Sequence, residues 1–328
     1  MKATLPKMPD FRPFALLKGP HLQTLAGWAA IPETPLPETE IIRMRLEDGD
    51  QTTLHLHPSR DLERSCPILL LLHGLEGDAS KPYMVRTARK AWQKGFRTVR
   101  MNLRCCGDAE GLSRRFYNGA QSEDVAAVCR WLTGRFPDAP LFVLGFSLGG
   151  NLVLKTALQE DLPRLDGVIG ICPPVDPHRS ASALRSWRNL LYHYRFVQSL
   201  VDRVERNRHL LSPHPEMELH PRMSLMEFDA LFTAPHSGYR DLKHYYDTCQ
   251  TSHLLNQIRC PWQIITSRDD PMVPFDSFDP VAGQANLIAT RHGGHLGFIG
   301  PKNGQDPDWR WAENRAIDFC CRVLDGSG

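Results

Sequence analysis

The stretch Leu141-Phe142-Val143-Leu144-Gly145-Phe146-Ser147-Leu148-Gly149-Gly150-Asn151 constrains the fold of this chain more than any other. Four apolar residues suit a buried strand, and the chain must then turn through Gly145, Ser147 and Gly149. Past the turn, Leu152, Val153, Leu154, Ala157 and Leu158 recur at helical spacing. The spacing predicts strand, tight turn and helix, with a serine at the apex and a glycine two residues to either side. Such a turn holds its central residue in a strained backbone conformation. Side chains at the flanking positions would collide with the neighbouring strand and helix. The pattern G-x-S-x-G in this setting is that of a nucleophile elbow; the plainer alternative is a Gly-rich packing turn with an idle serine.

The rest of the chain fits a sheet built around that strand. Residues 41–46 and 53–56 alternate about the turn Glu47-Asp48-Gly49-Asp50, which predicts a β-hairpin. Pro67–Leu72 is a continuous apolar run, as a strand buried on both faces should be, and it ends in His73-Gly74-Leu75-Glu76-Gly77. Helices are expected near His21–Ala30 and over Pro82–Lys94 and Ser122–Arg135, and strands over Thr98–Leu103 and Gly167–Cys172. From Asp176 to about Leu255 the alternation breaks down into Arg-, His-, Tyr- and Leu-rich helical periods, interrupted at Pro213, Pro215, Pro221 and Pro235. Alternation resumes with strands at Trp262–Thr266 and Asn286–Thr290 and a closing helix over about Asp308–Leu324. The pattern implies one α/β domain over 1–328, with a mostly parallel central sheet and helices on both faces. An arm (about 1–37) precedes it, and a helical cap insertion (about 176–255) covers the open end of the sheet.

A serine hydroxyl is a poor nucleophile at neutral pH, so it needs a base, and the base needs an orienting carboxylate. In this architecture the chain order is serine, acid, histidine, each just past the carboxyl end of a strand. Ser267-Arg268-Asp269-Asp270-Pro271-Met272-Val273-Pro274 follows the 262–266 strand, and the pattern Asp-x-x-Val-Pro selects Asp270; Asp269 is the alternative acid, or else caps the turn through backbone amides. Arg291-His292-Gly293-Gly294-His295-Leu296-Gly297-Phe298 follows the last strand, and His295 fits the general base better than His292. The two histidines lack further ligands at metal-site spacing, so no metal is expected. Oxyanion donors are expected from the backbone amides of Leu148, after the nucleophile, and Leu75, after His73-Gly74.

Together, His73-Gly74-Leu75-Glu76-Gly77, the Gly145–Asn151 elbow, Asp269-Asp270-Pro271 and Gly293–Phe298 resemble the YheT-like branch of the α/β-hydrolases. The segment Gly19-Pro20-His21-Leu22-Gln23-Thr24 resembles it too, so the likeness runs nearly end to end. The resemblance implies a serine hydrolase without a cofactor, acting on carboxylic esters with short- to medium-chain or lipid-type acyl groups. It departs at Arg104-Cys105-Cys106-Gly107, where the branch usually has glycine in place of Cys105; a positive φ there would add strain of about 1 kcal/mol or more.

The same triad serves thioesterases and amidases, and a hydrolase scaffold can also be retained as a ligand-binding protein. A net charge of +2 carries no nucleic-acid footprint, and the Arg203-Arg206-Arg208 cluster, interleaved with Asp202 and Glu205, reads as a solvated helix face. Nine cysteines without disulfide-framework spacing, and no signal-peptide pattern over Met1–Ala26, place the chain in the cytoplasm. No apolar run is long enough to span a membrane. Phe11, Phe14, Leu16, Leu17, Leu22, Leu25 and Trp28 suit packing on the core, or a weak contact with a membrane surface. The aromatic and apolar residues of the insertion (Trp187, Leu190, Leu191, Tyr192, Tyr194, Phe196, Leu231, Phe232, Tyr245, Tyr246) suit either an acyl pocket or a cap packed on itself. The expected partner is therefore a small-molecule ester with an apolar acyl chain.

Overall fold

Alternate residues of the apolar runs belong to opposite faces, and this divides the core in two. In the computed structural model, which describes residues 10–29, 33, 36, 38–59, 65–211, 217–304 and 306–326, Ile68, Leu70 and Leu72 join one buried cluster and Leu69 and Leu71 the other. Both clusters stay apolar because helices cover both faces of the sheet.

Eight strands form that sheet: β1 (Glu40–Arg45), β2 (Gln51–His57), β3 (Ile68–Leu72), β4 (Arg97–Met101), β5 (Leu141–Phe146), β6 (Gly167–Ile171), β7 (Trp262–Ser267) and β8 (Leu287–Thr290), in the order β1-β2-β4-β3-β5-β6-β7-β8. β1–β2 and β2–β4 pair antiparallel, with Ile42 opposite Leu54 in the hairpin. From β4 to β8 every pairing is parallel. The first cluster takes in α3 (Ser122–Arg135) and α4 (Leu148–Thr156) through residues such as Val125, Val128, Leu152 and Val153. The second takes in α2 (Pro82–Gln93) and the C-terminal helix Trp311–Leu324 through Met84, Ala88, Ala316 and Ile317. The helix expected near His21–Ala30 is α1 (Pro20–Trp28), with proline in its first turn, where the missing N–H has no partner to lose.

Between β6 and β7 the described chain is helical: α5 (Pro177–Leu184), α6 (Leu190–Arg206), a group of short turns, and the helix Leu242–Cys249. Backbone carbonyls anchor this region to the sheet helices. Asn151 Nδ2 donates to the carbonyl of Cys249 at 2.8 Å, and Lys155 Nζ donates to that of Thr248 at 2.6 Å, both from α4. Arg203 corrects the expectation of a solvated face. It is buried, and its guanidinium donates to the carbonyl of Cys105 at 2.8 Å, whereas Arg206 and Arg208 pair with Glu110 and Glu205 at the surface. Cys105 has φ 60°, the left-handed value that its glycine-replacing position predicts. The loop is held against that strain by Arg203 from one side and on the other by Arg104, whose Nε donates to Asp124 at 2.6 Å.

The N-terminal arm divides as well. Phe11 packs on Phe298 and Trp311, and Trp28 on Tyr192 and Phe196, while Leu16, Leu22 and Leu25 are exposed. Residues 1–9, 30–32, 34, 35 and 37 of the arm, and the breaks expected at Pro213 and Pro215, lie outside the described residues. Among the described helices none is long and apolar enough to cross a membrane.

A buried ion network ties α2 to the C-terminal helix. Arg86 Nε and Lys90 Nζ both donate to the Glu313 carboxylate at 2.9 Å. Although burial opposes the charged form, the two cations hold the Glu313 carboxyl down at about 2. Because the folded value lies below the unfolded one, this contribution is present above about pH 4.5 and is lost as pH falls toward 2. Glu313→Gln is therefore expected to lose about 3 kcal/mol of unfolding free energy at pH 7, with a shallower acid limb than wild type between pH 4.5 and 2 in urea titrations.

Candidate active site

The elbow needs an absence of side chains, and the structure gives the reason at each glycine. A Cβ on Gly145 would overlap the carbonyl of Gly149, and one on Gly149 would overlap that of His73. With both bare, β5 runs directly into α4, and Ser147 is held at φ 51°, ψ −121°. Such a conformation costs an L-residue about 1–3 kcal/mol. Its amide donates to the carbonyl of Ile171 at the end of β6, at 2.8 Å, and this fixes the apex against the sheet.

The two partners expected from later loops meet this serine. His295 Nε2 lies 2.9 Å from Ser147 Oγ, and His295 Nδ1 lies 2.8 Å from Asp270 Oδ2. The other carboxylate oxygen of Asp270 accepts the amides of Met272 and Val273, at 2.8 and 3.0 Å. One oxygen thus holds the acid on its turn and leaves the other free to face the imidazole. Asp269 faces elsewhere: it accepts the Gly294 amide at 2.9 Å and lies 3.3 Å from His292 Nδ1. The two carboxylates divide the histidine loop, Asp270 meeting the ring of His295 and Asp269 the backbone and His292. Cys172, at φ 49° just past β6, brings its thiol within 4.8 Å of the Asp270 and His295 ligand atoms. That is the only three-residue grouping with metal-ligand reach among the described residues, and its imidazole and carboxylate are already hydrogen-bonded to each other.

Sequence reasoning singled out Gly19–Thr24 only by resemblance, and its role lies in the support of His295. Thr24 Oγ1 accepts the amide of His295 at 2.9 Å. Gln23 donates through Nε2 to the carbonyls of Leu17 and Ile299 and accepts the amide of Ile299 through Oε1. Both side chains are wholly buried. Backbone contact is so close that a Cβ on Gly294 would overlap the Pro20 carbonyl. α1 is therefore a brace for the histidine loop.

The loop after β3 carries the other proposed donor, Leu75. Its geometry is set by His73, which is fully buried and whose pKa burial lowers to about 4. An amide can only donate, so His73 Nε2 accepts from Leu103 N at 3.0 Å and carries no proton. The proton then sits on Nδ1, which donates to the carbonyl of Gly74 at 2.8 Å. That carbonyl also accepts the Gly77 amide at 3.0 Å, and Tyr83 Oη accepts the Gly74 amide at 3.1 Å. In a trans peptide C=O and N–H point in opposite directions. Pinning the Gly74 carbonyl toward the His73 ring thus turns the Leu75 N–H away from it. Gly74 also packs close to the serine, since a Cβ there would lie 3.1 Å from Ser147 Cβ. Leu148 opens α4, so its amide is among those without an acceptor inside the helix.

Two cavities open on this centre. One, of about 190 Å³, reaches Trp28, Tyr83, Arg195 and Arg310; the other, of about 130 Å³, runs under the helices between β6 and β7. Leu75, Ser147, Phe196 and His295 line both. Of the insertion residues considered for a pocket, Phe196, Tyr245 and Tyr246 reach the second cavity. Trp187, Leu190, Leu191, Tyr194 and Leu231 are exposed, and Tyr192 and Phe232 are buried.

A parallel-rich sheet with a serine elbow at the end of β5 defines an α/β-hydrolase, and a family model described as alpha/beta hydrolase fold matches residues 67–301. The chain belongs to this family, in its YheT-like branch. It is 30% identical to the candidate esterase YheT of Escherichia coli (strain K12), over 86% of this chain and 85% of that one. It is 28% identical to the phospholipase ABHD3 of Mus musculus (71% of this chain, 58% of that one) and 26% identical to a monoacylglycerol lipase of Saccharomyces cerevisiae (77% and 59%). Among solved structures, the esterase Pf2001 of Pyrococcus furiosus matches with a TM-score of 0.56 at 15% identity, over 89% of this chain and 97% of that one, a likeness of fold.

The environment of His73 makes a direct prediction. Its ring should remain the neutral Nδ1–H tautomer down to about pH 4. Unfolded, the ring binds its proton near pH 6.5, so stability is expected to fall as pH drops from 6.5 toward 4. Imidazole 15N shifts across a pH series check this, and a His73 midpoint near 6.5 would contradict it.

Proposed function

We propose that the chain is a carboxylic ester hydrolase working through Ser147, His295 and Asp270. The observation that carries this reading is the unbroken hydrogen-bond path from Ser147 Oγ through the imidazole to Asp270. His295 Nε2 accepts the serine proton as Oγ attacks the acyl carbonyl. Asp270 holds Nδ1–H and stabilises the imidazolium that forms. The amides of Leu75 and Leu148 donate to the oxyanion, each contributing about 3–4 kcal/mol to the barrier reduction. His295 then returns the proton to the leaving alcohol, and a water activated by the same ring releases the acid from the acyl-enzyme.

The second cavity, mainly apolar and narrow, fits a short to medium acyl or alkyl chain. Exposed Leu22 and Leu25 on α1 and Leu190 and Leu191 on α6 give the outer surface an apolar character suited to weak contact with lipid. The nine cysteines are unbridged thiols, in keeping with a reducing, cytoplasmic setting. The chain is read as one domain, with the helices between β6 and β7 as its cap.

Labelling with a fluorophosphonate probe tests the nucleophile, and hydrolysis of p-nitrophenyl butyrate tests turnover. Ser147→Ala is expected to abolish labelling and to lower kcat by roughly 10⁶-fold in folded protein, and Asp270→Asn by roughly 10⁴-fold. Asp269→Asn is expected to cost no more than about tenfold, since it leaves the His295 ring bond intact. Equal losses in the two aspartate variants, or turnover retained by Ser147→Ala, would refute the assignment.

A further inference from the structure

One titratable side chain in the 130 Å³ cavity has no place in the ester chemistry. Asp229 lines this cavity at the start of Asp229–Thr233, the one π-helical turn among the described residues, a geometry that recurs at functional sites. Its residue exposure is 8%. Oδ2 accepts the Tyr246 hydroxyl at 2.9 Å, and the Thr233 hydroxyl also bonds the carboxyl. Among the described residues, neither Lys nor Arg lines the cavity, so no cationic side chain of the lining answers the charge. Burial raises its pKa to about 6, so near neutral pH most of it is still the anion.

A buried carboxylate with neutral hydrogen-bond partners but no counter-charge is costly in a protein interior. Here it faces space that a ligand can fill. The walls beside it are aromatic, from Phe116, Tyr117, Tyr245 and Tyr246, and ring faces attract organic cations. A further polar group waits unpartnered: Ser180 lines the same cavity, is 8% exposed, and its hydroxyl has no hydrogen bond among the described residues. An anionic group would be repelled from this chamber, and a purely aliphatic one would leave Asp229 uncompensated. Because Ser147, Leu148 and His295 line the same space, a group seated there can belong to an ester placed at Ser147.

We propose that this chamber is a subsite for an organic cation, so that the preferred ester carries an ammonium or quaternary ammonium group seated between Asp229 and the surrounding rings. The proposal rests on the hydrolase reading above. It names Asp229 as the residue that sets substrate preference.

Isosteric pairs that differ only in charge provide the test. Butyrylcholine and 3,3-dimethylbutyl butyrate place the charge on the alcohol. p-Nitrophenyl 4-(trimethylammonio)butyrate and p-nitrophenyl 5,5-dimethylhexanoate place it on the acyl chain. Wild-type protein is expected to favour the cationic member of one pair by about tenfold in kcat/KM. In Asp229→Asn, which retains an acceptor for Tyr246, that ratio is expected to fall to within about twofold of one. A variant-free arm uses choline, which is expected to slow fluorophosphonate labelling of wild-type Ser147 when 3,3-dimethylbutanol at equal concentration does not. No charge preference in either pair, a preference that survives Asp229→Asn, or labelling unaffected by choline would overturn the subsite while leaving the hydrolase reading in place. Failure of the probe to label folded wild-type protein would instead remove the hydrolase reading on which the subsite depends.

Discussion

The close approach of β5, α4 and the end of β3 governs the rest of the structure. Gly145, Gly149 and Gly74 leave no side chains where these three segments meet, and Ser147 is forced to positive φ at their junction. The strain is local, and its restraint is distributed through the amide bond to Ile171 and the packing of α4 against β5 and β6. A serine held in this way has little backbone freedom left to lose, which is the entropic advantage the proposed chemistry would draw on. Preorganisation of the apex comes from the sheet, and that of the histidine comes from loops.

Those loops are positioned mainly by hydrogen bonds to backbone. Asp270 spends one oxygen on its own turn and the other on the imidazole. His73, kept neutral by burial, orients the Gly74–Leu75 peptide plane without bringing a charge to the loop beside Ser147. Thr24 and Gln23 hold the segment around His295 from outside the sheet. In each case a polar side chain satisfies backbone groups that a buried loop would otherwise leave unpaired. Asp229 differs in that its hydrogen-bond partners are neutral hydroxyls, so its charge meets no Lys or Arg among the residues lining the second cavity.

Much of the sheet was legible in the sequence because its strands are continuous apolar runs that end at glycine or a polar turn, as at Ile68–Leu72 and Leu141–Phe146. The elbow was readable for a steric reason, since only glycine fits at two fixed offsets from the serine. Pairing Asp270 rather than Asp269 with the ring depends on which carboxylate the turn aims at His295, and adjacent identical residues carry no such signal beyond the following Val-Pro. The brace formed by Gln23 and Thr24 was hidden because it joins positions about 270 residues apart through backbone groups, which any sequence possesses. Arg203 was misread for a related reason: a charged residue among charged neighbours looks solvated, yet its guanidinium is buried on a carbonyl of a distant loop. Asp229 gave no signal at all, since one acid in a helical stretch looks like a surface residue until the fold encloses it.

The bond from His295 N to Thr24 Oγ1 links residues 271 positions apart, near the two ends of the chain. During synthesis α1 is made before both of its partners, first α6, whose Tyr192 and Phe196 meet Trp28, and then the loop after β8. The Ser147–His295 pair therefore comes together only once that loop has been made, after the strand that leads into the serine. A chain cut before the loop 291–298 would hold Ser147 without the imidazole hydrogen-bonded to it and α1 without the loop it braces.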